Sequence, residues 1–165
     1  MTVPDWLTEI HPQTELVRIH GIGKRTSFVH TNRDGRRLSL AYYWHDRSRR
    51  MYGEITFGPD TEGPPGCGHG GSIAAVLDDA MGTAVWCAGH RVVAVNLNVD
   101  FRRFVPLDAP PRRVEVRIVR RLRRKVYTRA WLRGPDGTLH AEGKGIFLQI
   151  DFERLLGQKS SGPVA

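Results

Sequence analysis

The hydrophobic and polar positions along the 165-residue chain predict one long helix among several strands. Residues 72–88 carry apolar side chains at helical spacing over a face broad enough for near-complete burial, and Gly89 marks the helix end. Further segments show the apolar or alternating runs typical of strands: residues 38–44, 51–57, 92–101, 114–118, 126–132 and 140–150. An antiparallel sheet wrapped around the helix is the simplest way to bury it, so the predicted fold class is α+β.

The remaining segments carry weaker patterns. Residues 5–20 favour one or two short helices broken at Pro12, and residues 21–37 have the composition of a loop. We therefore divide the chain into an N-terminal helical and loop segment (1–37), a single domain (38–152) and a flexible tail (153–165).

Alternation in residues 92–101 predicts two distinct faces for that strand. Val93 and Leu97 belong to one face, whereas Ala94 and Asn96 share the other. In the last strand, Gly143 and Gly145 indicate a bulge or a close contact.

Composition narrows the class of protein. The chain is 40% hydrophobic, which favours a folded globule, and it has no apolar run of the roughly 18 residues that a membrane span needs. The N-terminus lacks the basic start and apolar core of a secretion signal, and the two cysteines form neither a disulfide framework nor a metal cluster. The seven histidines show no ligand spacing. We expect a cytoplasmic protein with no membrane contact and no metal site.

The net charge of +8 is unevenly distributed. Residues 112–133 contain nine arginines and Lys125 against one acid, Glu115. The positive field of these residues attracts phosphates, nucleic acid or anionic lipid. The alternative interpretation is a charged sheet face that is simply exposed to solvent. Without an interleaved stacking array, a helix-turn-helix or a zinc module, nucleic acid is not a predicted partner.

The glycine-rich loop at residues 63–71, Gly-Pro-Pro-Gly-Cys-Gly-His-Gly-Gly, runs straight into the long helix. Its glycines free backbone N–H groups, and the positive end of the helix dipole points at whatever binds there. Asp78 follows His69 by nine residues, on an otherwise apolar face, where it is either solvated, paired with an arginine or functional. Because one helical step turns about 100°, Asp79 is not expected to face the same pocket and is assigned a structural role. The combination favours hydrolysis of an acyl thioester.

These residues resemble a known family. Residues 62–71, Asp78, residues 96–103 and the pair Pro106-Leu107 resemble the hotdog-fold acyl-CoA thioesterases, with a likeness that runs from about residue 38 to residue 150. Within that family the nearest likeness is to the mitochondrial long-chain enzymes numbered four and five in the human superfamily, and the phenylacetyl-CoA-type enzymes are a wider relation. The resemblance implies a hotdog fold whose central helix covers about residues 70–88.

The resemblance also implies partners and roles. The substrate is an acyl-CoA or acyl-carrier protein, coenzyme A is part of that substrate, and no separate cofactor is expected. The assembly is a homodimer or a dimer of dimers whose sheets join edge to edge, with the active site between subunits. The family's catalytic carboxylate, a general base or nucleophile, falls on Asp78, and the oxyanion-binding N–H falls on Gly70. His69 orients the loop or the substrate.

The candidate substrate-binding residues are Gly71, Asn96, Arg102 and Arg103. Guanidinium groups bind the phosphates of coenzyme A well. Arg102 and Arg103 directly follow the strand at residues 92–101, so they are the first candidates for this contact. The second choice is the set Arg120, Arg121, Arg123 and Arg124. Two positions depart from the family pattern: Ala94 stands where relatives often carry Thr or Ser, and Gly63 where some carry Asn or Gln.

Other functions remain open. A hotdog dehydratase or hydratase would act on a hydroxyacyl or enoyl thioester, and a non-catalytic acyl-binding module could retain the pocket without the hydroxyl that Ala94 lacks. Cys67 beside His69 could act as a nucleophile, but no second histidine or asparagine supports that arrangement.

Overall fold

The computed structural model describes residues 3–19, 27–32 and 34–151. The two α-helices are α1 (Asp5–Thr8) and α2 (Gly70–Cys87), and short 3-10 turns occupy Gln13–Glu15 and Pro59–Thr61. The strands are β1 (Leu16–Ile19), β2 (Leu38–His45), β3 (Arg50–Phe57), β4 (Val92–Phe101), β5 (Arg112–Leu122), β6 (Lys125–Arg133) and β7 (Leu139–Gln149). The predicted tail at 153–165 and part of the predicted loop at 21–37 lie outside the described residues.

The strands form one antiparallel sheet in the order β1-β2-β3-β5-β6-β7-β4. Helix α2 packs against one face of this sheet, which confirms the predicted α+β architecture with a single long helix. The core lies between the helix and the inward side chains of the strands, including Leu77, Met81, Val114, Leu132 and Phe147.

Two glycines of β7 allow the helix to approach the sheet closely. A Cβ on Gly143 would lie 3.3 Å from the Met81 methyl carbon, and one on Gly145 would lie 2.6 Å from the Phe147 ring and 2.9 Å from Thr128 Oγ1. The sequence predicted either a bulge or a close contact at these glycines, and the structure shows the close contact. Helix and sheet therefore meet here without space between them.

The N-terminal segment departs from the prediction. Residues 16–19 form an edge strand paired with β2, not the helix expected from the apolar positions. Leu16 is buried while Val17 is 56% exposed, which is the two-residue period of a strand. Leu16 joins Leu7, Tyr43 and Tyr52 in a second cluster on the outer face of the sheet. Pairing with the open edge of β2 outweighs the weak local helix preference.

Strand β4 is the last strand of the sheet, and β7 is its only neighbour among the described strands. A register shift between Ala94 and Asn96 marks a bulge: Ala94 pairs with Phe147, whereas Asn96 pairs with Ile146. Because Phe147 and Ile146 point to opposite faces, Ala94 lies on the helix side and Asn96 on the outer side. The predicted shared face of these two residues is therefore wrong.

Candidate functional site

The start of α2 presents one free backbone donor. His69 is the N-cap, and its Nδ1 accepts a hydrogen bond from Gly71 N at 2.9 Å. The amides of Ser72 and Ile73 donate to the His69 carbonyl. Gly70 N–H has no acceptor among the described residues, so it is the amide left to bind an anion at the positive end of the helix.

A cleft of about 580 Å³ opens beside this amide, and we call it the Gly70 cleft. Its walls combine loop and β4 residues: Pro64, Gly68, Gly70, Ile73, Phe101, Arg102, Arg103 and Phe104. The Phe101 ring packs so close to Gly70 that a Cβ there would lie 3.3 Å from it. The cleft thus offers one backbone donor, apolar rings and two cationic side chains.

Asp78 lies in a different cleft, of about 270 Å³, which we call the Asp78 cleft. It is lined by Asp78, Asp79, Gly82, Thr83, Trp86, Val92, Ala94 and Phe147. Asp78 Oδ1 is buried and has no hydrogen-bond partner among the described residues. Burial, and secondly the charge of Asp79, raise the pKa of the Asp78 carboxyl above its ordinary value. Asp78 as a whole is half-buried, and no arginine pairs with it among the described residues. A carboxyl whose pKa is raised in a cleft is a candidate functional group.

Asp79 borders the same cleft, so the expectation that the two acids could not share a pocket is wrong. Its Oδ2 accepts hydrogen bonds from Tyr42 Oη at 3.0 Å and from His30 Nε2 at 2.9 Å. These two bonds tie Asp79 to β2 and to residues 27–32, and the structural role predicted for it stays a prediction. The pattern around the motif gave no signal for Tyr42 or His30, because only the folded sheet brings them to the helix.

The two clefts lie at different levels of α2. Gly70 and Asp78 are eight residues apart, which corresponds to about 12 Å along a helix axis. The clefts also reach opposite ends of β4, since Val92 and Ala94 line the Asp78 cleft and Phe101 lines the Gly70 cleft. One chain therefore carries both chemical groups but does not bring them together.

The arginines predicted to bind phosphate differ in whether another side chain already engages them. Arg102 donates to Glu142 Oε1 at 2.7 Å, and this contact lowers the pKa of Glu142. The Arg103 guanidinium has no such acidic partner among the described residues and lines the same cleft. Arg120 packs over Tyr127, with 4.2 Å from its guanidinium carbon to the ring centroid. Of the two arginines that line the Gly70 cleft, Arg103 is therefore the one more available to a phosphate.

The other predicted residues differ in their relation to the clefts. Gly71 uses its amide for the His69 cap, and Asn96 lies on the outer face of β4, away from the Asp78 cleft. Ala94 lines that cleft without offering a hydroxyl, whereas Thr83 lines it and does offer one. Thr83 was missed in the sequence although it stands four residues, about one helical turn, after Asp79.

A separate polar cluster joins the N-terminal segment to the sheet. His45 Nε2 lies 2.8 Å from Glu15 Oε2, and the His11 ring stacks on His45 with centroids 4.0 Å apart. These three residues could offer ligand atoms to a metal, which sequence spacing did not indicate. Their polar atoms are hydrogen-bonded to each other and to Tyr52 and Ser48. The cluster therefore holds the N-terminal segment against the sheet.

None of the helices in the described part of the chain is both long and apolar enough to pass through a bilayer.

Comparison with known proteins supports the resemblance. Residues 66–141 match the sequence model of the thioesterase superfamily. The chain is 29% identical over 150 residues to acyl-coenzyme A thioesterase THEM4 of Xenopus laevis, covering 90% of this chain and 67% of that protein. It is 32% identical over 93 residues to human acyl-coenzyme A thioesterase THEM5, covering 56% of this chain and 37% of that protein. The chain thus spans between about a third and two thirds of these relatives.

A solved structure shares the architecture. A phenylacetic acid degradation-related protein of Ralstonia eutropha JMP134 superposes with a TM-score of 0.56 at 25% identity, covering 62% of this chain and 77% of that one. The sheet around a single helix is therefore the hotdog fold, and the predicted fold class is confirmed.

Proposed function

We propose that the protein is a member of the thioesterase superfamily, whose sequence model matches residues 66–141, and that it hydrolyses an acyl-CoA or acyl-carrier-protein thioester to a free acid and a thiol. The observation that carries the proposal is the unpartnered, buried Oδ1 of Asp78, in a chain that also leaves the Gly70 amide free. Hydrolysis of a thioester needs these two elements, an activated nucleophile and a donor for the oxyanion.

The proposed active site is shared by two copies of the chain. A separation of about 12 Å prevents Gly70 and Asp78 of one chain from acting on one carbonyl. The free edge of β4 exposes apolar side chains, with Val95 51% and Phe101 55% exposed, and such an edge favours pairing with another strand.

A two-fold axis at this edge would pair β4 antiparallel with its copy. The Val92 end of one strand then lies beside the Phe101 end of the other. Each Asp78 cleft is thereby placed against the Gly70 cleft of the partner, which completes two equivalent sites per dimer.

The proposed chemistry uses water and no cofactor. Asp78 takes a proton from water, and the resulting hydroxide adds to the thioester carbonyl carbon while Gly70 N–H stabilises the oxyanion. The carbon–sulfur bond then breaks, and the thiolate recovers the proton from Asp78. Direct attack by the carboxylate is the other route, and it would pass through an acid anhydride. After single-turnover hydrolysis in H₂¹⁸O, label in Asp78 would establish direct attack, because general-base catalysis places the label only in the released acid.

Arg103 is the proposed contact for the phosphates of coenzyme A. It lines the Gly70 cleft without the acidic neighbour that engages Arg102. A guanidinium left free in this way retains its hydrogen bonds for an incoming phosphate.

The test begins with a panel of short, long and aryl acyl-CoAs, assayed for thiol release with the wild type and Asp78→Asn. No thiol release from any thioester would overturn the proposed activity, and wild-type turnover in Asp78→Asn would remove Asp78 from its role as base.

A second variant removes the proposed oxyanion donor. Proline at position 70 lacks the N–H but suits the first turn of a helix, and the extended backbone of His69 (ψ 139°) is compatible with a following proline. Gly70→Pro should therefore lose turnover, whereas Gly70→Ala keeps the amide and serves as the matched control.

Mixing the two inactive variants tests the shared site. Heterodimers of Asp78→Asn with Gly70→Pro contain one intact site, so subunit exchange should restore about a quarter of the wild-type activity in a statistical mixture. No recovery, despite exchange measured by mass spectrometry, would contradict a site built from two chains.

A further inference from the structure

The carboxylate beside the proposed base is held from two other elements of the fold. Tyr42 from β2 and His30 from residues 27–32 both bond to Asp79 Oδ2, at 3.0 and 2.9 Å. The rings of His30 and Tyr42 meet edge to face, with centroids 5.9 Å apart. We call these three residues the Asp79 clamp.

The position of His30 is set by its own segment. Thr31 N donates to the Ser27 carbonyl at 3.0 Å, and Ser27 N donates to Thr31 Oγ1 at 2.7 Å, which closes a turn around His30. Val29 is buried in the main core. Both His30 and Tyr42 precede residues 66–141, so the segment that matches the superfamily model contains Asp79 but not its two partners.

We propose that the Asp79 clamp sets the pH at which Asp78 becomes an active base: Asp79 places a negative charge beside Asp78, and protonated His30 partly offsets it. The inference rests on the proposed function only in calling Asp78 the base. Clamp residues are positioning residues, because they act through Asp78 and not on the substrate.

The charges around Asp78 support this assignment. Within one protomer, the titratable groups facing it are Asp79 from α2 and, through Asp79, His30 and Tyr42, and no lysine or arginine lines the described cleft. In the proposed dimer the cationic Gly70 cleft of the second copy also faces Asp78, and it is the same in every variant compared below. The hydrogen bond to Asp79 raises the pKa of His30, and burial raises that of Tyr42 well above its ordinary value. His30 is therefore protonated and Tyr42 neutral where a carboxylic acid titrates.

The two charged members of the clamp should have opposite effects. Asp79→Asn removes a negative charge, so Asp78 ionises more easily and the acidic limb of the kcat/KM profile moves to lower pH. His30→Gln keeps a donor for Asp79 but removes the positive charge, so the limb moves to higher pH. Each shift is expected to be on the order of 0.5 to 1 pH unit. Tyr42→Phe keeps both charges and removes only one hydrogen bond to Asp79, so it is the control, with a smaller shift of the limb than either charge variant.

The experiment measures the pKa of Asp78 directly as well as through activity. The side-chain carboxyl carbon of Asp78 is followed by NMR in ¹³C-aspartate-labelled wild type, Asp79→Asn, His30→Gln and Tyr42→Phe, and is assigned by its loss in Asp78→Asn. Opposite shifts in the two charge variants support the clamp. Unchanged titration, or shifts of one sign, overturns it, because a merely structural role does not reverse sign with charge.

The direct titration also separates the two proposals. If Asp78→Asn keeps full turnover, the assignment of Asp78 as the base fails, while the NMR shifts still decide whether the clamp tunes the pKa of Asp78. If Asp78→Asn is inactive and the titration does not move, only the clamp fails.

Discussion

Replacing Asp78 with asparagine should abolish turnover and stabilise the fold at the same time. Asparagine cannot accept the proton from water, and the loss of a general base typically lowers the rate by about 10²- to 10⁴-fold. Asparagine also removes a buried charge whose Oδ1 has no partner among the described residues and which lies beside Asp79. Leaving such a group unsatisfied costs about 1 to 3 kcal/mol, and partial exposure of Asp78 places the gain near the lower end, about 1 kcal/mol.

The pH dependence of this gain has a defined sign. The pKa of Asp78 is raised above its ordinary 3.8, so the ionised carboxylate destabilises the folded state once the pH exceeds the folded pKa. Between 3.8 and the folded pKa the penalty declines as pH falls, and it is absent below 3.8. The Asn variant should consequently melt higher at neutral pH, by roughly 2 to 4 °C, and the difference should disappear in acid.

Thermal unfolding at several pH values, together with a thiol-release assay, measures both effects. Asp108 is exposed, so Asp108→Asn is the matched control and should change neither quantity. A variant that keeps turnover refutes the role of Asp78 as base. One that melts several degrees below the wild type at neutral pH refutes the electrostatic reasoning.

Three further changes test other parts of the structure. Gly145→Ala would place a methyl group 2.6 Å from the Phe147 ring and 3.2 Å from Met81 Sδ of α2, and it should destabilise the fold by about 1 to 3 kcal/mol in urea unfolding. Unchanged stability would show that these two side chains can move aside without cost. His30→Gln should lower the stability of the fold most below pH 6.5. The ion pair with Asp79 raises the pKa of His30, so its stabilisation is fully present below pH 6.5 and is lost as the pH rises through the folded pKa. A loss of stability that is equal at all pH values would contradict this ion pair. Arg103→Glu should raise KM for acyl-CoA about tenfold or more with little change in kcat. Arg133→Glu makes the same change of charge outside both clefts and should leave KM unchanged. Equal KM values for the two variants would remove Arg103 from phosphate binding.

The helix and most strands could be predicted because their patterns are local. The apolar face of residues 72–88 and the alternation in residues 114–118 are each complete within a few turns or residues. Strand β1 was missed because its four residues become a strand only by pairing with β2, a contact that no local pattern contains.

The local parts of the candidate site could also be predicted, whereas the parts that depend on strand pairing could not. The loop and Asp78 occur close together in sequence, so their family resemblance was visible. The bulge at Ala94 reverses which residues face the helix, and it follows from pairing with β7 rather than from composition. His30 and Tyr42 reach Asp79 from 49 and 37 residues away, so only the fold could identify them.

The close approach of α2 to Gly143 and Gly145 has a consequence for the shape of any bound acyl group. Since the interior of a single protomer is filled at that level, a long hydrocarbon tail has no route through it. In the proposed dimer, such a tail would leave the reacting carbonyl along the edge of β4. Selection for longer or shorter substrates would then act on the rim of that strand, and the packed centre could stay constant while chain-length preference evolves.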